Sequence, residues 1–197
     1  MKHHIILLLG VLLLIQLSGC RSITQQLSDQ PSIKSPTLAD LDNWKTTGKL
    51  AVRTPQKAQS TNLIWQQQDS NYNISLNGPM GFGSAIINGN QQQATIKTGS
   101  KTLTGTPDQL GAKLLGIPLS ADAMSWWIKG QASPNQPQAS NIVLQQDGLV
   151  SSLQQNGWQL QFSRYQTQGA YSLPKKITGR RGDLSFKLVI SQWNLFD

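Results

Sequence analysis

Leu184-Ser185-Phe186-Lys187-Leu188-Val189-Ile190-Ser191 places Leu184, Phe186, Leu188 and Ile190 on one side of an extended chain and Ser185, Lys187, Val189 and Ser191 on the other. Side chains of a strand point alternately to opposite faces, so a period of two reads as a half-buried β-strand. The pattern recurs upstream. Trp158, Leu160 and Phe162 alternate with Gln159, Gln161 and Ser163, and Tyr72, Ile74 and Leu76 with Asn73, Ser75 and Asn77. Leu50 and Val52 share a side, and Asn62-Leu63-Ile64-Trp65-Gln66 is rich in β-branched and aromatic residues. Phe82 to Ile87 reads as a further strand ending at the turn Asn88-Gly89-Asn90, and Ala94 and Ile96 continue the series. Short strands separated by Gly, Asn and Pro turns make this a mainly β chain, with an antiparallel sheet curled into a barrel or sandwich.

Two helices interrupt the sheet. Thr106 caps one opened by Pro107 and Asp108, with Leu110, Leu114 and Leu115 on one side and Gly116 at the end. Ser120 caps a second, with Met124, Trp127 and Ile128 as its apolar face and Gly130 as its stop. Helices inserted between strands can plug the inner side of a curled sheet. Residues 131 to 141 are polar and return the chain to strand. Leu38, Leu41 and Trp44 fall at helical spacing, which predicts a further short helix there.

The amino terminus carries an address. Lys2 precedes an almost unbroken apolar run from Ile5 to Ile15, and small residues then lead to the chain's single cysteine in Leu17-Ser18-Gly19-Cys20. A charged start, a short apolar core and small residues at a cut site describe a secretory signal peptide over residues 1–19. Leu-Ser-Gly-Cys also resembles the bacterial lipobox. That resemblance implies a diacylglyceryl group on the Cys20 thiol, cleavage before Cys20 and acylation of the new amine. Arg21 and Ser22 follow, without the Asp that resembles an inner-membrane retention signal, so the expected address is the outer membrane. Residues 20–36 then form a lipidated start and a flexible polar tether, punctuated by Pro31 and Pro36. Residues 37–197 form one domain, long enough for a sizeable core.

Composition narrows the chemistry. His3 and His4 leave with the signal peptide, Cys20 is acylated, and all nine acidic residues are Asp. Ser-His-Asp and Cys-His catalysis and His/Cys zinc sites are therefore excluded, and the scattered aspartates form no paired-carboxylate motif. The chain is not expected to be an enzyme, and no cofactor or metal is called for. Loss of Lys2 leaves 16 basic against nine acidic residues, a net +7. No dense basic stripe with interleaved aromatics points to nucleic acid. Lys175-Lys176 and Arg180-Arg181 read either as solvated loop charge or as an attraction for anionic headgroups or an acidic carrier.

An ordered set of segments carries a wider resemblance. It comprises Trp44-Lys45-Thr46-Thr47-Gly48-Lys49-Leu50-Ala51-Val52, Trp65-Gln66-Gln67, Tyr72 to Leu76 and Gly78-Pro79-Met80-Gly81. Further on come Leu114 to Leu119, Trp126-Trp127-Ile128-Lys129-Gly130, Asn156-Gly157-Trp158, Leu173-Pro174 and Trp193. In this order they resemble the LolB family over nearly the whole mature chain. One departure is Met80, where the family commonly carries Leu. The resemblance implies an antiparallel, incompletely closed β-barrel that encloses a hydrophobic cavity plugged by short helices. It implies a monomeric outer-membrane receptor that takes the acylated N-termini of client lipoproteins from the periplasmic carrier LolA and inserts them among outer-membrane phospholipids.

Two groups of site residues follow. Asn77-Gly78-Pro79-Met80-Gly81 reads as a tight turn between strands. Met80 either folds back onto the core or, as the resemblance implies, is an exposed apolar tip for membrane insertion, flanked by Gly78, Pro79 and Gly81. The apolar set Trp65, Tyr72, Ile74, Ile86, Leu114, Met124, Trp127, Ile128 and Trp158 reads as core, and the resemblance implies that some of it lines an acyl-chain cavity. Arg181-Gly182-Asp183 and the sequon Asn73-Ile74-Ser75 are chance matches in a chain of this kind. A rival reading is a structural lipoprotein that scaffolds an envelope assembly machine through its sheet edges. The lipobox makes a direct prediction: Cys20→Ala accumulates as an unprocessed or soluble form. Mass spectrometry of the wild-type mature terminus should find Cys20 acylated, and a free thiol would sink the reading.

Overall fold

The computed structural model describes residues 37–78 and 84–196. Eleven strands form a single antiparallel sheet. The first six are β1 (Asn43–Arg53), β2 (Ala58–Gln68), β3 (Asn71–Asn77), β4 (Ser84–Gly89), β5 (Ala94–Thr98) and β6 (Lys101–Gly105). After helices α1 (Pro107–Leu115) and α2 (Ala121–Trp127) come β7 (Ser140–Leu144), β8 (Val150–Gln155), β9 (Trp158–Gln168), β10 (Tyr171–Arg181) and β11 (Leu184–Leu195). The spatial order is β6-β5-β4-β3-β2-β1-β11-β10-β9-β8-β7. The last strand thus closes on the first, at the middle of the sheet. Strands β6 and β7 are left as unjoined edges, so the barrel is incompletely closed.

Alternation in the sequence becomes burial in the sheet. Trp44, Leu50 and Val52 of β1, Leu63 and Trp65 of β2, Tyr72, Ile74 and Leu76 of β3, and Phe186, Leu188 and Ile190 of β11 all face one side and are buried. Thr46 of β1 and Thr61 of β2 share the buried side, and the residues alternating with these face out. A bulge at Thr47/Gly48, where β1 shifts register against β11, is the kind of irregularity that bends a strand and sharpens its twist. Gly48 is required there, because a Cβ would lie 2.3 Å from the Val189 carbonyl oxygen.

Several expectations are corrected. The helix read over Leu38, Leu41 and Trp44 is only a 3-10 turn at Leu38–Asp40, in which Asp40 accepts from the Thr37 N–H at 2.9 Å. Trp44 already belongs to β1. Its ring must meet Trp193 at 5.2 Å and Trp65 at 5.5 Å across the sheet, and that packing overrides the helical spacing. Lys175-Lys176 and Arg180-Arg181 lie in strand β10, not in loops. Pro174 is tolerated in β10 because β11 pairs with that strand only from Lys176 onward. Phe82, read as a strand start, lies outside the described residues, and β4 begins at Ser84.

Both helices form where expected, but only α1 is capped as its sequence foretells: Ser120 stands at the N-cap of α2 without a side-chain hydrogen bond, and α2 ends at Trp127 with Ile128 as its C-cap, short of Gly130. Thr106 accepts from the Gln109 N–H while the Gln109 side chain accepts from the Thr106 N–H, a reciprocal capping box. Gly116 closes α1 in the left-handed conformation at φ 72°. Residues 106–139 must carry the chain from edge strand β6 to edge strand β7, and they do so across the inner face. Their second half is tied down. Gln155 of β8, 3 % exposed, accepts from Trp127 Nε1 and the Ser133 N–H at 2.8 Å each. It donates to the carbonyl oxygens of Ser133 at 2.8 Å and Pro137 at 2.9 Å. Trp158 Nε1 donates to the Pro118 carbonyl oxygen at 3.2 Å.

Edge strand β7 is irregular. All five of its residues are exposed, and its register against β8 slips between Ser140 and Val143 and again between Val143 and Leu144. Asn141 sits at φ 50° in the left-handed region. Gln155 carries this part of the fold. Gln155→Ala would strip partners from two buried donors and two carbonyls, and should cost about 2–4 kcal/mol, read as a lower urea midpoint at unchanged slope.

Candidate functional site

The inner face is not fully packed. Between the sheet and the helices lies a cavity of about 60 Å³, lined by side chains of β1 to β5, β11, α1 and α2. Leu50, Leu63, Trp65, Ile74, Leu76, Ile87, Ile96 and Leu188 supply the sheet wall. Pro107, Leu110, Leu114, Leu115, Leu119 and Met124 supply the helical wall. Among the described residues, the hydroxyl-bearing side chains at its border are Tyr72 and Ser120. α1 lies close against the chain that follows it: a Cβ on Gly111 would stand 2.0 Å from the Leu119 carbonyl oxygen.

The two ends of the crossover are held differently. Among the described residues, no side chain of α1 hydrogen-bonds to a strand; its grip is the apolar contact of Pro107, Leu110, Leu114 and Leu115. The segment after it is latched by Gln155 and Trp158, and by Lys129, whose Nζ donates to the Leu41 carbonyl oxygen at 3.0 Å and sits 4.4 Å from the Trp126 ring centre. Lys129 is 3 % exposed. Burial lowers its pKa, and the charges of Asp42 and Asp40 oppose that shift. Asp122 is pushed up by burial first; a hydrogen bond from Asn135 works against this and Asp108 adds to it.

Of the residues singled out beforehand, Trp65, Tyr72, Ile74, Leu114 and Met124 meet around this one cavity. Ile86 does not. It points outward, 44 % exposed, while its neighbour Ile87 faces the cavity. The phase of β4 is set by pairing Ile87 with Ile74 of β3, so small Ala85, not Ile86, takes the other inward place. Trp127, Ile128 and Trp158 are buried but pack away from the cavity; Trp127 stacks on Phe186 at 6.5 Å and Trp158 meets the same ring edge-on at 5.2 Å. The sequence reading passed over Leu63, Leu76, Ile96, Leu110 and Leu188, all of which line the space. Gly78 ends the described part of its connection, and Pro79, Met80, Gly81 and Cys20 lie outside the described residues. Among the described residues no cluster of His, Cys, Asp or Glu could hold a metal ion, and no helix is long and apolar enough to cross a membrane.

Comparison with known proteins decides the family. Residues 42–193 match the profile of the family described as outer membrane lipoprotein LolB. The chain belongs to the LolB family. It is similar to the outer-membrane lipoprotein LolB of Pseudomonas fluorescens, with 34 % identity over 158 residues, covering 79 % of this chain and 76 % of that protein. It is also similar to LolB of Pseudomonas aeruginosa, with 31 % identity over 186 residues and 90 % of each chain covered. Among solved structures, a LolA superfamily protein of Nitrosomonas europaea aligns with a TM-score of 0.56 at 9 % identity, over 80 % of this chain and 87 % of that one. A putative outer membrane lipoprotein-sorting protein domain of Vibrio parahaemolyticus aligns at 0.57 with 7 % identity, over 79 % and 86 %. At such identities these two bear on the fold alone, an open antiparallel sheet with helices across its inner face. As a LolB-family member the protein is an outer-membrane lipoprotein receptor and not an enzyme, and the scaffolding alternative is not favoured.

Tyr72 offers a clean test of this site. Its hydroxyl is buried at the cavity border without a hydrogen-bond partner. Burial, with a smaller contribution from Asp122, raises its pKa from 10.0 to about 12. The unfolded chain therefore ionises Tyr72 first, and the stability held by keeping it neutral is full below pH 10 and falls as pH rises toward 12. Tyr72→Phe should be neutral or stabilising by about 1 kcal/mol at pH 7. Its advantage over wild type should widen above pH 10, read from urea midpoints across the alkaline range.

Proposed function

We propose that the cavity under α1 receives the acyl chains of client lipoproteins handed over by LolA, and that the receptor then releases them into the outer-membrane phospholipid. The observation that carries this reading is the lining. A cavity bordered by two hydroxyl-bearing side chains and otherwise by apolar ones suits hydrocarbon and little else. The energetic need is plain. Each methylene brought into water costs about 0.8 kcal/mol, so a chain-bearing client must pass from one dry site to another. A receptor whose site is better than the carrier's by about 1.4 kcal/mol biases the handover tenfold. No covalent step and no nucleotide are involved.

The cavity as it stands is too small for its cargo. Its volume of about 60 Å³ holds only a few water-sized groups, whereas pockets for ligands the size of an acyl chain run to roughly 300–1,000 Å³. The site must therefore widen. The unequal anchoring of the crossover supports α1 as the part that lifts: it is held by apolar contacts alone, and an entering acyl chain replaces those contacts in kind. The segment latched by Gln155, Trp158 and Lys129 stays on the sheet as the hinge side. Apolar contact exchanged for apolar contact keeps the opening cheap once cargo is present and costly without it.

Release requires a different element. We assign it to the connection from Gly78 to Gly81, with Met80 as the apolar tip that enters the acyl boundary of the bilayer. This assignment rests on resemblance and on the sequence of the turn. The domain is a monomer in this reading, because the inner face is covered by its own crossover and not by a partner.

One experiment separates capture from delivery. The full mature protein, reconstituted through its anchor into liposomes, is given lipoprotein bound to LolA. Leu114→Asp should cut capture by about tenfold or more, because a charge at the cavity wall resists hydrocarbon. Met80→Glu should capture normally and change stability by less than about 1 kcal/mol, yet leave the client uninserted. Normal capture by Leu114→Asp would overturn the cavity reading, and normal insertion by Met80→Glu would overturn the tip.

A further inference from the structure

The charges of this fold are sorted by surface. Asp40, Asp42, Asp69, Asp108, Asp122, Asp147 and Asp183, the aspartates among the described residues, all lie in turns, helices or connections and none in a strand. The outer face of the central strands carries the opposite sign. Lys49 and Arg53 of β1 face outward beside Lys187 of β11 and Lys176 and Arg180 of β10. The register places Lys49 opposite Val189 and Val189 opposite Lys176, then Ala51, Lys187 and Thr178 in a row, then Arg53, Ser185 and Arg180. Lys57, in the β1–β2 hairpin, joins Arg53, Arg180 and Lys187 around an open groove of about 970 Å³ whose lining contains no carboxylate. The remaining outward lining is Gln, Ser and Thr with the small Ala51 and Ala58, and the one aromatic ring among the lining residues, Phe186, is buried.

We propose that this outer face of β10, β11 and β1 is a docking surface for anionic phospholipid headgroups, which lays the domain on the bilayer that anchors it. The inference rests on the outer-membrane receptor reading and adds which surface meets the membrane. Charge complementarity favours lipid as the occupant. A lysine or arginine close to an anionic leaflet contributes about 1 kcal/mol, so the row of exposed cations supplies a firm electrostatic hold without any pocket. A protein partner wants a central aromatic or aliphatic anchor; among the described residues this face exposes no aromatic side chain, its row holds only the half-buried Val189, and the exposed Ile64 lies beside it on β2.

The length of chain between Cys20 and the domain does not by itself choose a face. Sixteen residues from 21 to 36 reach at most about 55 Å when extended, which exceeds the roughly 36 Å length of an eleven-residue strand such as β1. Residues 37–42 can therefore stand at either end of the sheet relative to the bilayer. With the outer face down, α1 and the cavity face the periplasm, where cargo arrives. The β3–β4 connection leaves Asn77, which pairs with Asn62, itself opposite Lys49, so it departs beside the cationic row.

Energy transfer tests this on the full mature protein. Cys20 is the only native cysteine, and with its thiol acylated as the lipobox implies, an introduced cysteine is the only free thiol. A donor dye is placed at Asn62→Cys on the outer face or at Ala112→Cys on α1, both exposed positions. The acceptor is a headgroup-labelled lipid in phosphatidylcholine vesicles with or without roughly 30 % phosphatidylglycerol. With the anionic lipid, transfer from position 62 should exceed that from position 112 by about twofold or more, and the difference should vanish between about 0.05 and 0.5 M salt. Replacing Lys49, Arg53, Arg180 and Lys187 together by Gln should abolish it, and restoring Arg at all four should recover it. Equal transfer from the two positions, or a difference indifferent to anionic lipid and salt in the wild type, overturns the proposal without any variant. A Gln variant that keeps its orientation but takes cargo from LolA more slowly would assign the face to the carrier instead, and also overturns it. Capture by detergent-solubilised wild type, measured in parallel, reports the receptor reading separately.

Discussion

An antiparallel sheet whose edges do not meet must still be one chain, and here the chain passes from β6 to β7 with the whole sheet between them. Connections run over surfaces, and the surface available on the inner side is apolar. The crossover therefore has to be amphipathic, and residues 106–139 answer with two capped helices. From this constraint follow the covered inner face, the position of the cavity, and the division of the crossover into a latched half and a half held by contact alone. Had β6 paired with β7, the inner face would be a sealed core and the helices would have no place in it.

The latched half shows how few polar groups are needed to decide which part of a lid stays. Gln155 spends its entire hydrogen-bonding capacity on residues 127 to 137, in surroundings where an unmet donor costs about 1–3 kcal/mol. Lys129 adds a charged donor on the Leu41 carbonyl, partly offset by the cost of its own burial. α1 has no counterpart to either. Its capping box makes it a self-sufficient helix, stable as a unit wherever its apolar side is placed. Directional bonds thus fix one half, and the other is held by non-directional contact alone.

Much of this was legible beforehand. Alternation in β3, β9 and β11 and the capping box at Thr106 are local signals, and local physics obeyed them; Ser120 marks the start of α2 without bonding to it. What stayed hidden was set by partners distant in sequence. Leu38, Leu41 and Trp44 satisfy a helical spacing, yet Trp44 is claimed by Trp65 and Trp193 from other strands. In Ala85-Ile86-Ile87 either isoleucine could face inward, and only the register with Ile74 chooses Ile87. Strand β10, with Pro174, paired lysines and Gly179, has the composition of a loop; it is a strand because β9 and β11 offer it ladders on the segments where its backbone can accept them. The cavity itself has no signature in one dimension, since a side chain lining a void and one filling a core are the same letter.

Anchoring by a lipid has a further effect on edge strand β7. Proteins held in one plane meet each other far more often than the same number in solution, always in related orientations. An exposed edge bearing Ile142, Val143 and Leu144 would in that setting invite strand-to-strand polymerisation across the membrane surface. The two register slips and the left-handed Asn141 interrupt its row of backbone donors and acceptors, so no second strand finds a continuous ladder. Irregularity at this edge, which weakens the sheet locally, also denies a neighbouring strand the continuous ladder that edge-to-edge pairing needs.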